Sequence, residues 1–243
     1  MAKNVIYAVS RVRAYEYTLL NAEKLNRLAE AGSGEEGLKI LNEFNYGAGA
    51  SAESPYDYEK LIDAETADAV SFVKDFSADI PEISLFLTKF DYHNAKAYMK
   101  AKYMRTDNLS GILEPSGNIP LSVLKDWIMS DDYSGVSAEM AEALDFIDSN
   151  FSSGRRSPKT VDSVLDKAYF KEIARRKKRF GKEIKNYFTD SADLTNISVI
   201  LRCRNAGISL AGAMESLVEG GRLDAEALAA LYDSGAENFA ERF

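Results

Sequence analysis

Two stretches of this chain, 102 residues apart, carry the same polar residues in the same order, and that echo constrains the fold more than any other feature. Counting from Asp91, an Asn stands three residues on (Asn94), a Lys nine on (Lys100) and a Lys eleven on (Lys102). From Asp193 the same steps reach Asn196, Arg202 and Arg204. Apolar positions coincide too: Phe86 with Phe188, Tyr92 with Leu194, Ala95 with Ile197, Tyr98 with Ile200 and Met99 with Leu201. Further on, Gly117, Ile119 and Leu124 are matched by Gly221, Leu223 and Leu228, with two extra residues in the second copy. A unit that recurs like this buries its apolar face against its neighbours.

The recurring stretch reads as a helix. At about 100° per residue, Tyr98 and Lys102 fall within about 20° of Asp91, Asn94 about 60° away, and Lys100 on the opposite side. Asp91 and Asn94, and with them Asp193 and Asn196, therefore border the apolar stripe and need hydrogen-bond partners such as a neighbouring helix N-terminus. They read as structural residues that fix packing. Lys100 and Arg202 are expected to face solvent or a partner, and Lys102 and Arg204 are further candidates for contact.

Elsewhere the pattern is helical as well. Apolar residues at 3–4 spacing predict one helix over 4–31, ended by Gly32-Ser33-Gly34, then a short helix over 35–44. A Gly-, Ala- and Ser-rich loop covers 46–55, and helical pattern resumes over 58–77. The long helix bearing Asp91 starts just after Pro81, where a proline suits a first turn. Short helices follow over 119–129 and 137–149, the latter with Ser137 as N-cap. Ser152 to Pro158 reads as a linker, followed by helical pattern over 161–188, 192–204, 209–218 and 224–232. No period-two alternation suggests a sheet. The expected class is all-α, with residues 1–150 holding the first repeat unit and 151–243 the second.

At 243 residues, 46% apolar and 28% charged, the chain is long enough for a well-buried core and has no signature of disorder. Its longest apolar runs are far short of the roughly 20 residues that span a bilayer, so direct membrane insertion is not expected. The charged N-terminus lacks the apolar region of a signal peptide, and one cysteine, Cys203, excludes an intrachain disulfide framework. These features suit the cytosol. Net charge is −8, but residues 155–185 hold twelve Lys or Arg against four acids, giving +8 there and −16 in the remainder. The densest part is Arg175, Arg176, Lys177, Lys178 and Arg179. With few interleaved aromatics and an acidic body around it, this run reads as a solvated face or a protein or headgroup contact, not a nucleic-acid site.

Catalytic motifs are absent. Asp91 and His93 sit two apart on a helix and point in different directions, so they form no dyad. His93 is the only histidine, which removes His-based metal clusters, and no phosphate loop, dinucleotide fingerprint or nucleophile elbow occurs. Cys203 lies between Arg202 and Arg204, but with no base partner evident it reads as a buried or inert thiol. No catalytic, cofactor-binding or metal-ligating residue is therefore assigned, and no cofactor is expected.

The sequence resembles the C subunit of archaeal and bacterial V-type (A-type) ATPases, the relative of the eukaryotic d subunit. The resemblance rests on Tyr7 to Arg13 (YAVSRVR) with Leu19-Leu20, on Leu41 to Tyr46 (LNEFNY), and on Phe90 to Lys96 (FDYHNAK) with Lys100 and Lys102. It is completed by the second copy over Asp193 to Arg204 and by Gly220 to Leu223 (GGRL). It implies a non-catalytic rotor part of three similar helical units around a pseudo-threefold axis, funnel-shaped. Such a part sits on the cytoplasmic face of the membrane proteolipid ring and accepts the central shaft (the D and F subunits), coupling ATP turnover to proton or sodium transport. A third copy at the same spacing would place its Asp near position 295, past Phe243, so two of the three units are expected here. An unrelated helical scaffold of another complex and a carboxylate-dependent helical hydrolase are the alternatives that the residues alone leave open.

Overall fold

A computed structural model describes residues 2–75, 80–104, 108–109, 111–154 and 157–235, with side chains from residue 6 onward. Arg155 and Arg156, at one end of the basic segment, lie outside the described residues. Among those described, every regular element is helical. In chain order these are α1 (Ala2–Glu16), α2 (Ala22–Ala29), α3 (Gly34–Glu43), α4 (Tyr58–Lys74), α5 (Pro81–Met104), α6 (Leu121–Ser130), α7 (Ala138–Ser152), α8 (Pro158–Arg176), α9 (Lys182–Asn205), α10 (Leu210–Met214) and α11 (Ala225–Ser234). Short 3-10 turns at Pro55–Asp57 and Lys177–Arg179 lead into α4 and follow α8.

Two expected helices are each split. The segment read as continuous over 4–31 breaks between α1 and α2, where the Asn21 side chain accepts from the Lys24 amide and caps a new start. The pattern over 161–188 ends at Arg176, and α9 starts at Lys182 behind the non-helical Gly181. Helical periodicity continues across both breaks, which is why spacing alone misses them. Ser137 does cap α7, accepting from Met140 N–H.

The chain folds as two compact units, residues 1–84 and 85–243, divided in the first turn of α5. In the first unit Tyr15 of α1 stacks on Phe72 of α4 with centroids 4.4 Å apart and donates to Asp68 at 2.9 Å. Burial and the adjacent carboxylate push its hydroxyl pKa up to about 12. Glu65 accepts from the amides of Gly47 (2.8 Å) and Ala48 (3.1 Å), tying the loop after α3 onto α4. Gly47 has φ +103°, and a Cβ there would lie 2.9 Å from buried Leu61, so only glycine fits.

In the second unit the largest cluster gathers Tyr92, Ala95, Tyr98 and Met99 of α5, Leu124 and Ile128 of α6, Leu144, Ile147 and Phe151 of α7, and Val161 and Leu165 of α8. The division at residues 150 and 151 that the repeat suggests falls inside this cluster. It stands as a proposal about how the sequence is organised and does not mark a gap between compact units. A smaller cluster joins Ile200 of α9 to Ala213, Leu228 and Leu231. Phe86 and Phe188, equivalent positions of the two copies, touch with centroids 5.0 Å apart.

The core cluster makes a direct prediction. Ile147→Ala is expected to lower unfolding stability by about 2–5 kcal/mol in urea titrations, because Ile147 has no exposed surface and its loss leaves a cavity. Phe146→Ala, its half-exposed neighbour, should cost only about 1 kcal/mol.

Candidate functional site

The repeat resolves into one device built twice. α5 and α9 are each 24 residues long, and in each case the chain returns across the helix middle before entering α6 or, after the short α10, α11. In the first copy Asn94, fully buried, donates from Nδ2 to Glu114 O at 2.7 Å and accepts at Oδ1 from Glu114 N–H at 2.8 Å. In the second copy Asn196 donates to Val218 O at 3.0 Å and accepts from Val218 N–H at 2.8 Å. A carboxamide is the side chain that offers donor and acceptor side by side, so it satisfies both backbone polar groups of one loop residue at once.

The aspartates hold the next few loop residues. Asp91 Oδ1 accepts from Ile119 N–H at 2.9 Å, and Oδ2 accepts from the side-chain Nδ2 of Asn118 at 2.8 Å. Asp193 Oδ1 accepts from both Arg222 N–H (2.8 Å) and Leu223 N–H (3.0 Å). In each case these amides immediately precede α6 or α11, where a carboxylate also opposes the positive end of the helix dipole. Burial pushes the Asp91 carboxyl above its ordinary value, against the pull of the Ile119 and Asn118 hydrogen bonds. A Cβ on Gly117 would come 2.4 Å from Asp91 Oδ1, and one on Gly221 2.2 Å from Asp193 Oδ1. These glycines are therefore present for close approach to the carboxylate.

The basic candidates divide into two groups. Lys100 meets Asp162 of α8 at 2.6 Å, and Lys102 bonds Asp148 at 3.0 Å as well as Asp131. Arg175 forks onto Glu139 of α7 at 2.5 and 3.0 Å and holds that carboxyl below its usual range. Arg176 bonds Glu172 at 2.8 Å and Thr88 at 2.9 Å, while Lys177 donates to Gly220 O at 2.7 Å and to Thr189 at 2.6 Å. Lys100 thus points at α8 within the chain, where helical angle alone suggested solvent or a partner. Lys178, Arg179, Arg202 and Arg204 are exposed.

Glu172 escaped the reading of the sequence, where it counted only as an acid within a basic run. It is buried and accepts from Tyr92 (2.9 Å), Ser137 (2.5 Å) and Arg176, joining α5, α7 and α8. Its i,i+4 relation to Arg176 was the one legible signal. His93 Nε2 lies 2.7 Å from Ile112 O and serves there as a donor, and Cys203 is partly buried. A groove of about 590 Å³ beside α7 and α8 carries Glu139, Glu142, Glu215 and Glu219. Two of these carboxylates are paired, Glu139 with Arg175 and Glu142 with Lys171 at 2.9 Å. Among the described residues no His, Cys, Asp and Glu cluster suits a metal ion.

What recurs is thus a pair of loop clamps within a helical stack. The sequence model of the ATP synthase (C/AC39) subunit family matches residues 8–243. The chain belongs to that family. Among similar proteins, the C subunit of the A-type ATP synthase of Methanocaldococcus jannaschii is 26% identical over 219 residues, covering 84% of this chain and 55% of the relative. Those of Thermococcus kodakarensis (24% over 241 residues; 91% and 63%) and Methanococcoides burtonii (22% over 235 residues; 90% and 65%) match more of both chains. The chain therefore spans between about half and two thirds of the length of these relatives. The family and the all-helical class expected from the residues are both shown, and no described helix is long and apolar enough to cross a membrane.

The clamps can be tested through charge. Asn94→Asp and Asn196→Asp each replace the donor facing a loop carbonyl with a carboxylate oxygen, and each is expected to cost about 2–4 kcal/mol at neutral pH. Repulsion and burial raise the new carboxyl's folded pKa above its unfolded value. The folded variant then binds its proton more tightly, so stability relative to the parent recovers as pH falls through the folded value and is lost as pH rises through the same window. Urea titrations between about pH 5 and 7 check both the loss and the sign of its pH dependence.

Proposed function

We propose that this chain is a non-catalytic coupling subunit of a rotary ATPase, a rigid spacer between the central shaft and the membrane proteolipid ring on its cytoplasmic side. In that position it would help couple ATP turnover to proton or sodium transport. The observation that carries this reading is the doubled clamp in a chain of the ATP synthase (C/AC39) subunit family. Rotary coupling needs a body that passes torque without yielding. Two long helices, each with its return loop pinned by a buried amide and a buried carboxylate, supply stiffness at matching positions. The ion pairs Lys100–Asp162 and Arg175–Glu139 brace α8 against α5 and α7 in the same way.

The exposed cations then become the candidate contacts to shaft or ring: Lys178 and Arg179 after α8, Arg202 and Arg204 at the end of α9. Arg175, Arg176 and Lys177 are committed to intrachain acceptors, and we assign them to holding α8 in place. Tagged full-length chain is expected to co-purify with shaft subunits and the proteolipid ring from its host. Lys178→Glu with Arg179→Glu should reduce that capture several-fold while leaving the thermal melt within about 2 °C of the parent, as for other surface changes. Recovery of the chain without any rotary ATPase component, from membranes that contain the complex, would overturn the assignment.

A further inference from the structure

Within the first unit, the loop after α3 closes a concavity of about 400 Å³ in which aromatic rings and carboxylates converge. Its wall brings together Tyr15 of α1, Tyr17 just beyond it, Phe44 and Tyr46 after α3, and Glu65 and Asp68 of α4. Phe44 and Tyr46 end the stretch Leu41 to Tyr46 (LNEFNY), which has no part in the clamps. The backbone there is unusual, with φ of +53° at Asn45, +103° at Gly47, +49° at Ala48 and +87° at Gly49. A left-handed conformation is unfavourable for alanine, and the bonds from the Gly47 and Ala48 amides to Glu65 hold it in place. The loop is thereby fixed with Tyr46 beside the α4 carboxylates.

The chemistry of this wall selects for positive charge. Glu65 uses Oε2 for the two amides, and Asp68 takes the Tyr15 hydroxyl on Oδ2. That leaves Glu65 Oε1 and Asp68 Oδ1 with no partner among the described residues. The wall's one lysine, Lys24, is drawn to the Phe44 ring at 5.2 Å and the Leu19 carbonyl at 3.5 Å, so it pairs with neither carboxylate. Phe44 shows how cations are held here, since Arg27 also stands 5.5 Å from its centroid. Tyr17 and Tyr46 carry no cation or second ring among the described residues. Burial first, and then Glu65, pushes the Tyr46 hydroxyl above its ordinary value, so the phenol stays neutral beside the acids. The volume lies in the range of about 300–1,000 Å³ usual for ligand sites, room for a long side chain and not merely an ammonium ion. We propose that this pocket binds the cationic end of an arginine or lysine side chain presented by a partner protein. The charge sits against Glu65 and Asp68, and the aliphatic stem lies along Tyr17 and Tyr46. This site is independent of the rotary reading, and its failure would leave the coupling role untouched.

Full-length chain with ring-13C tyrosine tests the site by NMR titration with acetyl-arginine methylamide, acetyl-lysine methylamide and the uncharged acetyl-citrulline methylamide. Both cationic molecules are expected to give saturable shifts of the Tyr15, Tyr17 and Tyr46 rings with Kd of about 1–10 mM, and citrulline to bind at least about tenfold more weakly. Asp68→Asn keeps an acceptor for Tyr15 and should weaken arginine binding at least about fivefold. Tyr17→Ala removes a ring that is 88% exposed and should weaken it about threefold, with circular dichroism confirming that both variants are folded. Equal binding of arginine and citrulline, no saturation by about 50 mM, or an Asp68→Asn variant that binds like the parent would each overturn the proposal. Spermidine binding more tightly than either amino-acid derivative would overturn the assignment to a partner's side chain, because it marks a site for a free polyamine.

Discussion

Each half of the second unit depends on solving one problem: a loop must cross the middle of a long helix with its own backbone groups out of reach of water. A helix cannot help with its backbone, because every interior N–H and C=O is already bonded within it. The partner has to be a side chain carrying a donor and an acceptor a peptide's width apart. Asn94 and Asn196 provide this, each bonded in both directions to a single loop residue. One helical turn earlier, Asp91 and Asp193 supply pure acceptors for amides that point at them. The order of Asp then Asn, three apart, follows from the loop. It presents an N–H and a C=O together on arrival, and N–H groups alone just before the next helix begins.

The device also explains the glycines. Asp91 and Asp193 have short side chains, so the loop has to descend onto them, and at Gly117 and Gly221 the backbone comes too close for a Cβ. Two residues are inserted between clamp and glycine in the second copy, yet both contacts survive. The extra length is absorbed upstream of Val218, around α10, while the spacing from Gly221 to Leu223 and Leu228 stays that of the first copy. The part of the loop under geometric constraint keeps its register, and the unconstrained part varies.

This is why the clamp was legible in the sequence and its surroundings were not. Asp91, Asn94 and their echoes sit at fixed spacing on one element, so their chemistry shows as a pattern along the chain, as do Gly117 and Gly221. Lys100 and Glu172 are different. Lys100 lies 62 residues from Asp162, and Glu172 lies 80 from Tyr92; nothing local marks either pair. Helical angle placed Lys100 opposite the clamp correctly, but a helix packed on two sides has no free far face. The breaks at Asn21 and Gly181 were hidden for a related reason, since apolar spacing continues through them and the new starts show only in the Asn21 cap and in the extended backbone at Gly181. The boundary between compact units, in the first turn of α5, leaves no compositional mark because it falls within a continuous helix.

The two copies also use charge differently, and the residue types follow that use. In the first, Lys100 is drawn against Asp162 and Lys102 against Asp131 and Asp148 within the chain, where a compact ammonium on a flexible stem reaches its carboxylates. In the second, the same positions hold arginine, exposed at the end of α9. A guanidinium is more weakly hydrated than an ammonium and presents a planar fork, so less is lost when it leaves water for a carboxylate on another surface. Tyr92 and Leu194 differ in the same direction: the tyrosine uses its hydroxyl on buried Glu172, whereas the leucine offers only apolar area. The first copy thus commits these positions to α8, whereas Leu194 and Arg202 at the matching places on α9 are exposed.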